Sequence, residues 1–129
     1  MRVGLTLGTI AFISGIAALT SAQGAPAPNN ALGKRMFIRC AACHTVSATG
    51  PRKVGPHLQG IVGRKAGAVA GFSYSPALKA SKVTWSEESL DKWLQRPQAV
   101  IPETTMAFAG MAKPEERKAL IAYLKKPSP

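Results

Sequence analysis

The segment Cys40-Ala41-Ala42-Cys43-His44 constrains this chain more than any other. Cys40 and Cys43 are its two cysteines, and His57 is the only other histidine. Two thiols at this spacing could close a disulfide or form a thiol redox pair. A redox pair usually accompanies a βαβ pattern, and none is visible. A zinc site would need two further good ligands, and His57 offers only one imidazole. The adjacent histidine favours another chemistry. Two thiols can add to the two vinyl groups of a haem, while the next residue presents its imidazole beneath the iron. One short segment then holds the ring edge and supplies an axial ligand. The pattern predicts a single covalent haem c, its iron cycling between Fe(II) and Fe(III).

The N-terminus reads as an address rather than as part of the fold. Arg2 is followed by an uncharged apolar run from Leu5 to Leu19, then by the small residues Thr20-Ser21-Ala22. That is the layout of a cleaved export leader. The alternative is a retained membrane anchor. The run is short beside the roughly 20 apolar residues a span needs, and no basic stop follows it. Residues 1–22 are therefore expected to be a cleaved signal peptide and 23–30 a Pro/Ala/Asn linker. Residues 31–129 are expected to form one domain, exported in a bacterium to the periplasm.

Seventeen basic residues against six acidic ones give a formal net charge of +11. Such a surface suits nucleic acid, an anionic membrane or an acidic protein. Nucleic acid fits poorly with export, and the basic residues are scattered pairs: Arg52-Lys53, Arg64-Lys65 and Lys125-Lys126. Brief docking on an acidic protein fits better.

Along the chain, Asn30 is a plausible helix cap. Gly33, Phe37 and Cys40 share one helical face. Residues 45–74 hold no sustained period but carry six glycines and two prolines, the mark of a long loop that must wrap something. Ser75-Pro76 opens a short helix. Ser86 caps another, with Glu87 and Glu88 in its first turn, Trp85 and Leu90 placed as a hydrophobic staple, and Pro97 as its stop. Residues 97–113 are expected to be loop. Pro114 opens a last helix, where Arg117, Leu120, Ile121 and Leu124 recur at helical spacing. The expected class is all-α: three main helices, a short helix, and long loops around one haem.

The motif does not choose the second axial ligand. Candidates are Met36, Met106, Met111 and His57. Met36 lies one turn before Cys40 on the attachment segment, badly placed for the opposite face. Met106 and Met111 both lie in a loop remote from the motif, with Met111 nearer the last helix. Met106 is favoured among the four.

With these landmarks in hand, the chain resembles class I cytochromes c, within the mitochondrial-like and bacterial cytochrome c2 group. The likeness covers residues 33–125. It runs through Gly33-Lys34, Phe37, Cys40 to Val46, Val54 to Gly60, Gly63-Arg64-Lys65, Gly71 to Ser75, Thr84-Trp85, Ile101-Pro102, Met106 to Gly110 and Leu120 to Leu124. The resemblance implies thioethers at Cys40 and Cys43, His44 as proximal ligand and Met106 as distal ligand. It implies that the Pro56 carbonyl orients His44. Arg64, Tyr74, Ser75, Trp85 and Thr104 fall where the haem propionates are held. Gly33, Phe37, Leu120 and Tyr123 fall at the crossing of the first and last helices.

The function implied is that of a soluble monohaem carrier, not an enzyme. It would shuttle single electrons between membrane-bound or periplasmic redox complexes. Partners implied are acidic surfaces of a cytochrome bc1-type reductase, a terminal oxidase, a photosynthetic reaction centre or a periplasmic dehydrogenase, met transiently by a monomer. Arg39, Arg52, Lys53 and Lys113 are the expected docking cations. The alternative is a haem protein with a labile sixth site, acting as a weak peroxidase or gas-ligand sensor. The chain departs from the family pattern at Glu103 (commonly glycine), Trp93 (commonly tyrosine), Leu78 (commonly polar), and Gln98 and Thr105 (often lysine). If the turn at Glu103 needs a positive φ, a side chain there is strained.

Overall fold

A computed structural model describes residues 28–128. The expected signal peptide, residues 1–22, lies outside the described residues. Five helices follow in chain order: α1 Pro28–Ala41, α2 Pro76–Ala80, α3 Glu87–Gln95, α4 Pro97–Val100 and α5 Pro114–Lys125. Among the described residues, extended pairing is limited to one isolated antiparallel bridge between Lys65 and Thr84. The all-α expectation holds, with one more short helix than foreseen.

The starts of α2, α3 and α5 are chemically signed. Ser75 caps α2 by accepting from the Leu78 N–H, with Pro76 directly after it. Ser86 caps α3 by accepting from the Ser89 N–H at 3.1 Å. Glu87 and Glu88 sit in the first turn of α3, and Glu115 and Glu116 in that of α5, where the exposed N–H groups favour negative charge. Leu90, Trp93 and Leu94 form the buried face of α3.

Two expectations need correcting. Asn30 is not a cap: α1 begins at Pro28, so residues 28–30 of the expected linker are helical, and the Asn30 side-chain amide donates to Ser128 Oγ at 3.2 Å. Residues 97–113 are not loop throughout. Pro97 ends α3 but opens α4, because its fixed φ and missing N–H suit a first helical turn. The extended Arg96, φ −157°, separates the two helices.

The packing centre is the crossing of α1 over α5. Gly33 is buried there, and a Cβ on it would lie 2.2 Å from the Ala119 carbonyl oxygen and 2.5 Å from Tyr123 Cβ. Only hydrogen at that position lets the helices approach so closely. Phe37 packs on Tyr123 with ring centroids 5.7 Å apart. Leu120, Ile121 and Leu124 of α5 are buried beneath, each contributing about 1.5–3 kcal/mol. The loop after α1 is stitched to the segment before α3 by Gly63 N–H to Trp85 O, Trp85 N–H to Arg64 O and Ala66 N–H to Val83 O, at 2.8–2.9 Å. Residues 17 to 22 positions apart thus become neighbours along one side of the core.

Candidate haem-binding site

The C-terminal end of α1 carries the attachment segment. Cys40 is half-buried in the helix, and Cys43 is exposed just beyond it. The Cys40 carbonyl accepts from both the Cys43 and His44 N–H groups, at 3.0 and 2.8 Å. That turn presents both thiols and the imidazole from one short stretch. Burial pushes the Cys40 thiol up from its ordinary value.

His44 is oriented by a separate loop. Its Nδ1 lies 2.7 Å from the Pro56 carbonyl oxygen. A carbonyl only accepts, so Nδ1 donates and the lone pair of the neutral ring lies on Nε2. Burial lowers the His44 pKa, the Pro56 bond opposes that, and nearby Lys53 lowers it further. Burial and Lys53 thus favour the neutral imidazole, the form that binds a metal. Gly55 makes the fit possible: a Cβ there would lie 2.4 Å from His44 Cε1. The Gly55 N–H also bonds the Cys43 carbonyl at 2.8 Å, and the Lys53 ammonium donates to the Ala41 carbonyl. The loop is thus fastened over the attachment segment at several points.

Of the residues expected around the propionates, Arg64 and Trp85 are brought together from separate segments, and Tyr74, Ser75 and Thr104 make local contacts. The Arg64 guanidinium donates to the Gln59 and His57 carbonyls at 2.8 and 2.9 Å, and burial depresses its pKa. Its backbone pairs with Trp85, which is buried and packs at a tilt of 56° against Trp93, ring centroids 5.0 Å apart. The Tyr74 hydroxyl accepts from the Val69 N–H at 3.2 Å, so its own proton remains to donate. Ser75 Oγ accepts the capping bond of α2 and likewise keeps a proton. Thr104 is buried, its Oγ1 accepting from the Met106 N–H at 3.4 Å.

The four candidates for the second axial position have different surroundings. Met111 is 2% exposed, and its thioether belongs to the core. Met36 sits on α1, half-buried against that core. His57 Nδ1 is buried without a hydrogen-bond partner among the described residues. Met106 is half-buried in the loop between α4 and α5, at the edge of the core with Leu58, Leu78, Val100 and Phe108. These partly covered apolar side chains, the donor pair at Cys40 and Cys43, and the oriented His44 fit a large apolar ring with a central metal.

Glu103 has φ +62°, the one positive φ outside glycine among the described residues. The Thr104 N–H closes its turn on the Ile101 carbonyl at 3.3 Å. The turn is therefore of a kind that favours glycine, and the side chain is carried in a strained backbone. Gln98 has gained a structural task, donating to the Thr104 carbonyl at 3.1 Å. Of the expected docking cations, Arg39 and Lys113 both face Glu116, at 3.8 and 3.5 Å, which tempers their charge. Arg117 was legible only as a member of a helical stripe. The structure buries its guanidinium and gives it four hydrogen bonds. An arginine at an apolar spacing was the one available hint.

Comparison with known proteins agrees with this geometry. The family model described as cytochrome c matches residues 30–128. The chain is 47% identical over 102 residues to a cytochrome c from Nigella damascena, covering 78% of this chain and 92% of that protein. It is 43% identical over 110 residues to cytochrome c2 from Rhodomicrobium vannielii, covering 85% and 88% respectively. The solved structure of cytochrome cH from Methylobacterium extorquens superposes with a TM-score of 0.69 at 42% identity, covering 74% of this chain and 96% of that one. With a haem attachment motif, an all-α core and a family match over most of its length, the chain belongs to the cytochrome c family.

Proposed function

We propose that this protein carries single electrons between redox partners through one haem c, held by thioethers from Cys40 and Cys43 and by His44 and Met106 as axial ligands. The observation that carries the reading is the His44 ring. Its Nδ1 is committed to the Pro56 carbonyl, and its Nε2 lone pair follows directly after two thiols at the spacing of the vinyl groups. The haem, when bound, supplies the Fe(II)/Fe(III) couple. The chain supplies the rest: a neutral imidazole, a thioether that raises the potential, and an apolar surround that excludes water.

Met106 is the distal choice because Met111 is sealed in the core and Met36 shares the attachment helix. Arg64, Tyr74, Ser75, Trp85 and Thr104 are proposed to hold the propionates, where their O–H and N–H groups can donate to the carboxylates and the charge of Arg64 opposes theirs. With both axial positions filled by side chains, the site has no place for a substrate, which argues for a carrier rather than an enzyme.

The formal charge of +11 favours an acidic docking surface on the partner, with Arg52 and Lys53 beside the attachment segment as the leading contacts. Export to the periplasm is proposed from the leader-like residues 1–22 and from the bacterial sources of two relatives. Among the described residues no helix is long and apolar enough to cross a membrane.

Two measurements test the reading. The intact mass of the exported protein should equal the chain after leader removal plus one haem; a bare chain with two free thiols would end the attachment proposal. Met106→Ala should abolish the charge-transfer band of methionine bound to ferric iron and let carbon monoxide bind the reduced protein. The same changes from Met111→Ala, with Met106→Ala unaffected, would reassign the ligand.

A further inference from the structure

Arg117 lies on α5 with its charge buried, 5% exposed. Its Nε and Nη2 donate to the two carboxylate oxygens of Asp91 on α3, at 2.8 and 3.1 Å. Its Nη1 donates to the carbonyls of Met111 and Ala112, both at 2.9 Å. One planar guanidinium thus joins α3, α5 and the segment that leads away from Met106.

The two helices do not need this charge to pack. Leu90 and Leu94 on α3, and Leu120, Ile121 and Leu124 on α5, already belong to one apolar cluster. Burying the guanidinium is also weak evidence for stability, because its desolvation offsets much of the attraction to the partly exposed Asp91 carboxylate. What an apolar side chain could not do is capture two successive carbonyls of a segment outside any helix. The Met111 N–H adds a further tie, to the Leu94 carbonyl at 2.8 Å. The downstream end of the Met106 loop is therefore held on a platform of α3 and α5.

The upstream end is held differently. Thr104 is buried, its N–H bonds Ile101, and its carbonyl accepts from Gln98. That anchor includes the strained Glu103. Between the two ends, the hydrogen bonds of Met106 are short-range: its N–H to Thr104 Oγ1 and its carbonyl to the Phe108 N–H. The backbone that carries its thioether is thus fixed from the two ends, while the side chain packs at the edge of the core.

We propose that Arg117, paired with Asp91, is a positioning residue for Met106: it fixes the downstream end of the loop and so sets how readily the thioether gives up the axial position. This rests on Met106 being the distal ligand.

The test is cyanide binding to the ferric holoprotein, followed by absorbance alongside the methionine charge-transfer band. Arg117→Lys keeps the charge but loses the planar fork. Asp91→Asn keeps the guanidinium but loses the ion pair, and it carries the test if Arg117→Lys does not fold. Cyanide should bind either variant about tenfold faster than wild type, with a weaker band. Ile121→Val, a core change outside the clamp, should bind at the wild-type rate at matched distance from its unfolding midpoint. Clamp variants within about twofold of wild type, or an equal acceleration in Ile121→Val, would overturn the proposal. Met106→Ala separates the two readings. If it loses the band while the clamp variants match wild type, only the clamp fails; if it keeps the band, the ligand assignment fails and the clamp with it.

Discussion

Glu103→Gly should stabilise the protein, although it removes a side chain and gains no contact. Glu103 sits at φ +62° in the turn from Ile101 to Thr104, with Pro102 before it. A left-handed conformation costs a side chain-bearing residue about 1–2 kcal/mol. Glycine avoids that cost but loses more backbone freedom on folding, about 0.5–1 kcal/mol. The Glu103 side chain is exposed, so no packing is lost. The net gain should be about 0.5–1 kcal/mol, which for a domain of this size raises Tm by about 2–8 °C. Guanidinium denaturation of the ferric holoprotein would show it as a higher midpoint with an unchanged slope. Glu103→Ala is the control. It removes the charge but keeps the Cβ, so it should not gain stability. Equal stabilisation by alanine and glycine would show that charge, not backbone strain, is relieved. A glycine variant no more stable than wild type would refute the strain argument.

Gly33→Ala forces a methyl into the Ala119 carbonyl and should cost about 3 kcal/mol, read as a lower denaturation midpoint; a loss below about 1 kcal/mol would mean that the helices can separate freely. Gly55→Ala drives a Cβ into the His44 ring, so haem per chain after export should fall and the remaining holoprotein should show altered axial-ligand spectra. Full haem content with an unchanged spectrum would contradict the close fit of Gly55 to His44. Bimolecular electron transfer with an acidic partner should slow as salt rises, because screening shortens the reach of charge to about 8 Å at physiological ionic strength; a rate that rises with salt would contradict an acidic docking surface. Glu103→Lys should speed association at low salt if Glu103 borders the docking face, and equal stopped-flow rates would remove it from that face.

The sequence by itself carried what is local or chemically unambiguous. The haem attachment motif is five consecutive residues, and its chemistry depends on spacing along the chain. The helices α2, α3 and α5 were legible because serine caps, first-turn acids and prolines act within one turn of the residues they control. The α1–α5 crossing was readable from Gly33 and Phe37 only through family resemblance, since periodicity reveals a face but not what covers it. The start of α1 and the helical turn at Pro97 were missed, because a proline that ends one helix can equally begin another.

Tertiary structure decided the rest. Met106 and Met111 are chemically alike and five residues apart; only the whole core makes Met111 2% exposed and leaves Met106 half-buried. The bond from His44 to Pro56 depends on how a loop returns, and Gly55 matters only once the imidazole lies against it. In sequence, Glu103 was only a departure from a glycine; its positive φ shows that the turn here strains the residue. Arg117 looked like one position in an apolar stripe, because helical spacing says which way a side chain points and not whether a carboxylate and two carbonyls await it. Those partners are brought within about 3 Å of its guanidinium only by the packing of α3, α5 and the Met106 loop.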